Sequence, residues 1–293
     1  MLSNSTLSVM DILRKFPSKV MFTWFLVLLE NLLMALIPLL IGYSIDGLLA
    51  GDYRPLLLSA AVLSGLTLLA AGRRFYDTRA YGYIRVHLGQ EITKRKRDLP
   101  VSQLNARLTM GRELVDFLEE HLPELLTAVV QLVVSIAILF SFDLRLGTTA
   151  AVALIAMGLI YTLFHQRFFH GNQCLNEQME QQVSVLETRR PLLILKHLRA
   201  LNHWEIRLSD SEAILYGLIF LGMTAFILGN LVICADIPDI SAGKIFTIVS
   251  YSWEFVQSAF MLPLTLQQWT RLHEITERLN GRAPEVSHDA LNS

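Results

Sequence analysis

The sequence predicts an all-α membrane protein with six transmembrane helices, on three observations. First, 53% of its 293 residues are hydrophobic and 17% charged, with a mean hydropathy of +0.43, whereas soluble domains are about a quarter charged. Second, six apolar runs are each long enough to cross the ~30 Å hydrocarbon core, which takes ~20 residues of helix. Third, the basic residues are segregated. Of 25 Lys and Arg, 22 lie in the two tails and in the second and fourth connections, and only Arg54, Arg145 and Lys244 lie in the other three.

The spans follow in order. The first, 20–49, carries Glu30, Asn31 and Pro38 in an otherwise apolar run, and is too long for a cleaved leader. The second, 55–72, is nearly free of polar side chains. The third and fourth, 122–142 and 146–165, are joined by a few residues around Asp143. The fifth is 213–235 and the sixth 245–266, which contains Glu254 and Pro263. Positive charge is retained on the cytoplasmic side, so both termini are expected inside. Residues 1–19 form a cytoplasmic N-terminal segment, 20–280 the membrane domain, and 281–293 a disordered tail. Asp46 is expected to be solvated at the outer end of the first span.

The two cytoplasmic connections are each about 50 residues long. Structureless loops of that length are improbable, and both stretches read as helix. The membrane helices therefore extend far into the cytoplasm and meet in two hairpins, with turns expected near Asn105–Gly111 and Pro191–Asn202.

Local sequence adds to this topology. Ile37-Pro38-Leu39-Leu40-Ile41-Gly42-Tyr43-Ser44-Ile45-Asp46 places a Pro-x-x-x-Gly stretch before Ile-Asp. Leu99-Pro100, then Leu104, then Thr109-Met110-Gly111-Arg112-Glu113-Leu114 resembles an intracellular hairpin tip. With six helices, short outer loops and two long hairpins, the chain resembles the transmembrane domain of an ABC exporter over about residues 10–280. It is most similar to six-transmembrane-domain proteins without a fused ATPase. The resemblance implies a domain-swapped homodimer, because twelve helices line the family's central pathway, with the fourth and fifth helices of each half reaching across. It also implies a cell-membrane location, such as a bacterial inner membrane. Further, it implies that the hairpin tips, through Gly111, Arg112, Glu113, Leu193, His197 and Arg199, meet a coupling partner.

No Gly-x-x-x-x-Gly-Lys-Ser/Thr phosphate loop is present, so any ATPase activity is expected from a partner subunit. Three functions stay open: an exporter of small amphipathic cations, proton-coupled and without its own ATPase; the membrane subunit of a split ABC transporter driven by a separate ATPase; and a non-transport scaffold or lipid scramblase. No cofactor is predicted. Cys174 and Cys234 give no disulfide framework, His165 and His170 are a poor metal pair read as solvated, and nothing supports nucleic-acid binding.

Candidate binding residues come from the cost of burying charge in a bilayer. Glu30 with Asn31, and Glu254 with Gln257, Tyr251 and Trp253, are read as lining a pathway for a cationic substrate or a proton. The competing reading is a carboxylate held by a neighbouring helix's hydroxyl or amide and serving only packing. Pro38 and Pro263 are candidate hinges, their freed carbonyls solvated by the pathway. Gln131 and Asn230 are candidates for bonds between helices.

Overall fold

The computed structural model describes residues 9–95 and 100–279, with side chains to Met261. Among the described residues the chain is all helix, without strands. A short α1 (Val9–Lys15) precedes α2 (Pro17–Ala35), whose Pro17 sits where a helix needs no N–H. Leu36 separates α2 from α3 (Ile37–Leu49). The break falls there because Pro38 has no N–H to donate and its ring crowds the preceding turn. α4 (Arg54–Arg95) has 42 residues, about 63 Å at ~1.5 Å per residue. α5 (Val101–Asp116), a π-turn at Phe117–His121 and α6 (Leu122–Phe142) form one continuous rod. α7 (Leu144–Glu180), the short α8 (Gln182–Glu187), α9 (Pro191–Ala235) and α10 (Ala242–Leu279) follow.

Five helical stretches are long and apolar enough to cross a membrane: Pro17–Leu49, Arg54–Lys94, Val101–Phe142, Leu144–Glu187 and Pro191–Ala235. They contain the first five predicted spans, and the long helical extensions beyond 72, before 122, after 165 and before 213 are present. The sixth run lies in α10 (Ala242–Leu279). The side chains of His165 and Pro263 and the tail 281–293 lie outside the described residues.

Both hairpin turns differ from expectation. α5 runs unbroken through Asn105–Gly111, so the first turn does not lie there. Pro100 (φ −53°, ψ 148°) is extended and precedes the first turn of α5. Gly111 therefore serves packing. It is buried in mid-helix, where a Cβ would lie 2.5 Å from Ile92 Cδ1, so its absence lets α5 close on α4. The second reversal is at Thr188–Arg190, with Arg189 at φ 49°, and Leu193, His197 and Arg199 sit on the first turns of α9.

The chain divides into two compact units, 1–138 with 239–293, and Leu139–Pro238. The main apolar core of the first lies outside the predicted spans. Ile12 of α1, Tyr81, Ile84, Leu88 and Ile92 of α4, and Leu114 and Leu118 of the α5 rod pack together and are almost fully buried. This is where water supplies a hydrophobic driving force. Between helices within lipid that force is absent, and packing and polar contacts take its place.

Those contacts are clear where α3 meets α10. Gly42 and Gly243 let the two backbones touch. Asp46 is not simply solvated. It accepts the Gly243 N–H at 2.8 Å and the Ser241 hydroxyl at 2.6 Å, capping α10, whose first N–H groups have no partners within the helix. Nearer the α2–α3 break, the fully buried Tyr251 donates to the Ala35 carbonyl at 2.5 Å, so this carbonyl is satisfied by protein, not by a pathway. In the second unit, α7 and α9 pair through Thr149, whose hydroxyl donates to Asn230 Oδ1 at 2.7 Å.

Candidate functional site

The first unit holds a cleft of ≈ 580 Å³ built by α2, α4, the π-turn, α6 and α10. The rod formed by the π-turn and α6 contributes Glu120, Glu124, Thr127 and Gln131. Spacings of four, three and four residues put these on one helix face. The π-turn shapes the upper end of that stripe. Pro123 cannot donate to Glu119, and the ladder shifts so that the Leu122 N–H bonds Phe117. Turns of this kind often mark functional sites. α10 contributes Glu254, Gln257, Ser258 and Met261, α4 contributes Arg73 and Arg74, and α2 contributes Met34.

Four carboxylates, Glu119, Glu120, Glu124 and Glu254, face two guanidiniums across the cleft. The guanidinium of Arg73 is engaged, binding Glu30 and, at 2.9 Å, Asp77. The buried Asp77 also accepts from Thr23 at 2.9 Å. Glu119 is likewise held, by Arg85, which also bonds Asp116 at 2.6 Å. Two groups differ from these. Glu254 Oε2 and Gln131 Oε1 are shielded from solvent and accept no hydrogen bond among the described residues. Buried acceptors are normally satisfied, and leaving one without a donor costs about 1–3 kcal/mol, more when charged. The cleft therefore presents two acceptors, one from a carboxyl group, in a partly apolar wall.

The predicted binding residues separate on this geometry. Glu254 and Gln257 line the cleft. Glu30 reaches it only through Arg73, as an ion pair across α2 and α4 and not through a hydroxyl or amide. Asn31 is buried, and its Nδ2 donates to the Val27 carbonyl of its own helix at 2.9 Å. Tyr251 is fully buried against Ala35, and Trp253 is half-exposed and does not line the cleft. Gln131 is a cleft residue. The acidic stripe Glu120–Glu124–Thr127 escaped the sequence reading, although its 4-3 spacing was visible there. Of the residues read as coupling tips, Arg112 is exposed, Gly111 and His197 are buried, and none lies at a turn. Among the described residues no cluster of three or more His, Cys, Asp or Glu could hold a metal.

A multi-pass helical membrane protein is the class these features define. Residues 9–243 match the family described as the ABC transporter transmembrane region, and the chain belongs to that family. No curated protein matches the chain.

Proposed function

We propose that this chain is the membrane-spanning part of a transporter for small amphipathic organic cations, which bind in the cleft of the first unit. The supporting observation is Glu254, whose sequestered Oε2 has no donor among the described residues and which lines the same cleft as Gln131, whose Oε1 is likewise without one. An N–H that shares a delocalised positive charge, as the ring amines of a phenanthridinium do, supplies the missing donor. Met34 and Met261 provide an adaptable apolar wall for its hydrophobic part. In the absence of ligand the same carboxyl group can take a proton, so cation and proton compete for one site.

The test is binding of ethidium to the purified full-length chain, followed by fluorescence anisotropy. A charge-assisted hydrogen bond is worth about 1.5–3 kcal/mol, so Glu254→Gln should weaken binding by roughly 10- to 100-fold. A neutral phenanthridine of the same shape should lose little. Equal affinity of wild type and Glu254→Gln for ethidium removes the site.

We read the energy source as a separate nucleotide-binding partner. Leu192, Leu193 and Leu195, at the start of α9, are exposed in the chain, Leu192 by 81%. An apolar cluster of this kind beyond the bilayer marks an interaction surface. A pairing of two copies accords with α4, of whose most apolar window only 6% is buried within the chain. An ATPase subunit that copurifies in mild detergent and loses its hold on Leu192→Asp supports the partner. Cation flux in proteoliposomes driven by a pH step alone, without nucleotide, replaces it with proton coupling.

A further inference from the structure

The second unit carries a groove of ≈ 450 Å³ between α7 and α9, unlike the first cleft in charge. Arg167 and His170 of α7 and Trp204, Arg207 and Ser211 of α9 line it, over a floor at Gly171. Gly171 allows the two helices to close, since a Cβ there would lie 3.3 Å from Leu208 Cδ1. The Arg207 guanidinium lies 5.4 Å from the centre of the Trp204 ring, and His170 meets the same ring edge-on at 6.1 Å. Arg167 lies 5.7 Å from the centre of the Phe164 ring. Among the described residues neither arginine pairs with a carboxylate. Asp210 and Glu212, close by on α9, do not line the groove. Two guanidiniums held over aromatic faces without counter-ions form a site for an oxyanion.

Helix length places the groove in the membrane. At the other end of the same pair, Arg145 bonds Asp143 and Asp236. From Arg145 to Arg167 the helix rises about 33 Å, and from Asp236 to Arg207 about 44 Å. The hydrocarbon core is ~30 Å thick and the whole bilayer ~40–45 Å. With Arg145 and Asp236 in one headgroup layer, Arg167 and Arg207 fall in the other. Trp204 sits beside them at the depth favoured by interfacial tryptophans.

We infer that this groove binds the phosphate of an anionic phospholipid, with Arg167 and Arg207 holding the phosphate oxygens and Trp204 seating the glycerol end of the lipid. The inference does not depend on the transport reading, because no residue of the acidic cleft takes part.

Native mass spectrometry of the purified full-length chain tests it, with phosphatidylglycerol and phosphatidylcholine added in competition. Each arginine near a membrane surface contributes roughly a fivefold preference for anionic lipid, so the wild type should prefer phosphatidylglycerol by about 25-fold. Arg167→Ala/Arg207→Ala should reduce this to about twofold or less. Arg167→Lys/Arg207→Lys, which keeps charge but loses the planar fork, should fall between. Arg190→Ala/Arg199→Ala removes the same charge outside the groove and should retain the full preference. Equal loss in that control means diffuse electrostatics and overturns the site. Displacement of the lipid by millimolar inorganic phosphate, at the affinity phosphate shows without lipid, also overturns it, because the ligand is then the free anion.

Discussion

Replacing Gly42 with alanine should separate α3 from α10 and cost the protein a large part of its stability. The new Cβ would collide with Thr247 Oγ1 and lie 2.6 Å from the Gly243 carbonyl oxygen. The Thr247 hydroxyl is already committed to the carbonyls of Gly243, at 2.8 Å, and Pro38, at 3.2 Å, so it cannot swing aside without loss. The Gly243 carbonyl is backbone. Relief therefore requires the helices to move apart, and overpacking of this kind costs about 1–3 kcal/mol. Separation also stretches the two Asp46 contacts that cap α10. A charged hydrogen bond is worth ~1.5–3 kcal/mol, and with Asp46 partly exposed the lower figure applies, for a total of about 2.5–4.5 kcal/mol. Gly65→Ala is the control. Nothing lies within 4 Å of a Cβ there, and alanine is the better helix former by up to ~1 kcal/mol. The measurement is the unfolding midpoint of each purified variant, by near-ultraviolet circular dichroism in a fixed detergent with increasing dodecyl sulfate. If Gly42→Ala unfolds at the same midpoint as Gly65→Ala, the close approach of α3 and α10 is not as described.

Tyr251→Phe leaves the Ala35 carbonyl without its hydroxyl donor and should cost about 1–3 kcal/mol in the same unfolding assay, while ethidium affinity stays within twofold. Loss of affinity comparable to that of Glu254→Gln would return Tyr251 to the binding site. Arg73→Gln strands Glu30 and Asp77, and should destabilise by about 3 kcal/mol, the low end for buried pairs because Arg73 is partly exposed. Glu30→Gln added to it should recover part of that loss, and purely additive effects would refute the coupling. At the other end of the second unit, the backbone N–H and guanidinium of Arg145 hold the Asp143 carboxyl below the usual carboxylate range. A depressed pKa contributes stability above the unfolded value and loses it as pH falls through the folded one. The Asp143 carboxyl carbon should thus titrate at lower pH than in a peptide of the same sequence, and Arg145→Ala should bring the two together.

Most of the fold was legible because a bilayer imposes simple demands. Every backbone group must be paired within the span, so an apolar run of ~20 residues has few alternatives to a helix. The long extensions were legible for a related reason, since 50 residues without structure would be costly to hold in a compact domain. The first turn is harder to place, because Gly111 has the composition of a turn while its missing Cβ serves the contact with Ile92 inside a helix. The binding residues divide in the same manner. An intramembrane carboxylate stands out in sequence whatever it touches, so Glu254 and Glu30 were both found. Only the partner helices decide that Arg73 occupies Glu30 while no described residue donates to Glu254 Oε2. The stripe Glu120–Glu124–Thr127 was passed over because it straddles the predicted start of a span, where its first member reads as loop.

The geometry of α10 explains why the cleft begins where it does. Gly243, Thr247, Tyr251, Glu254, Ser258 and Met261 follow spacings of four, four, three, four and three, which is one face of a helix. The first three are closed against α3 and the end of α2, through the glycine contact, the Thr247 bond to Pro38 and the Tyr251 bond to Ala35. The last three open onto the cleft, together with Met34. Ala35 and Met34 are adjacent residues beside the break at Leu36, so the same face of α10 passes from packed to open where the first membrane helix is interrupted. Tyr251, buried one turn from Glu254, ends the cleft on that side. The proline break thus lies beside one end of the cleft, although Pro38 does not line it.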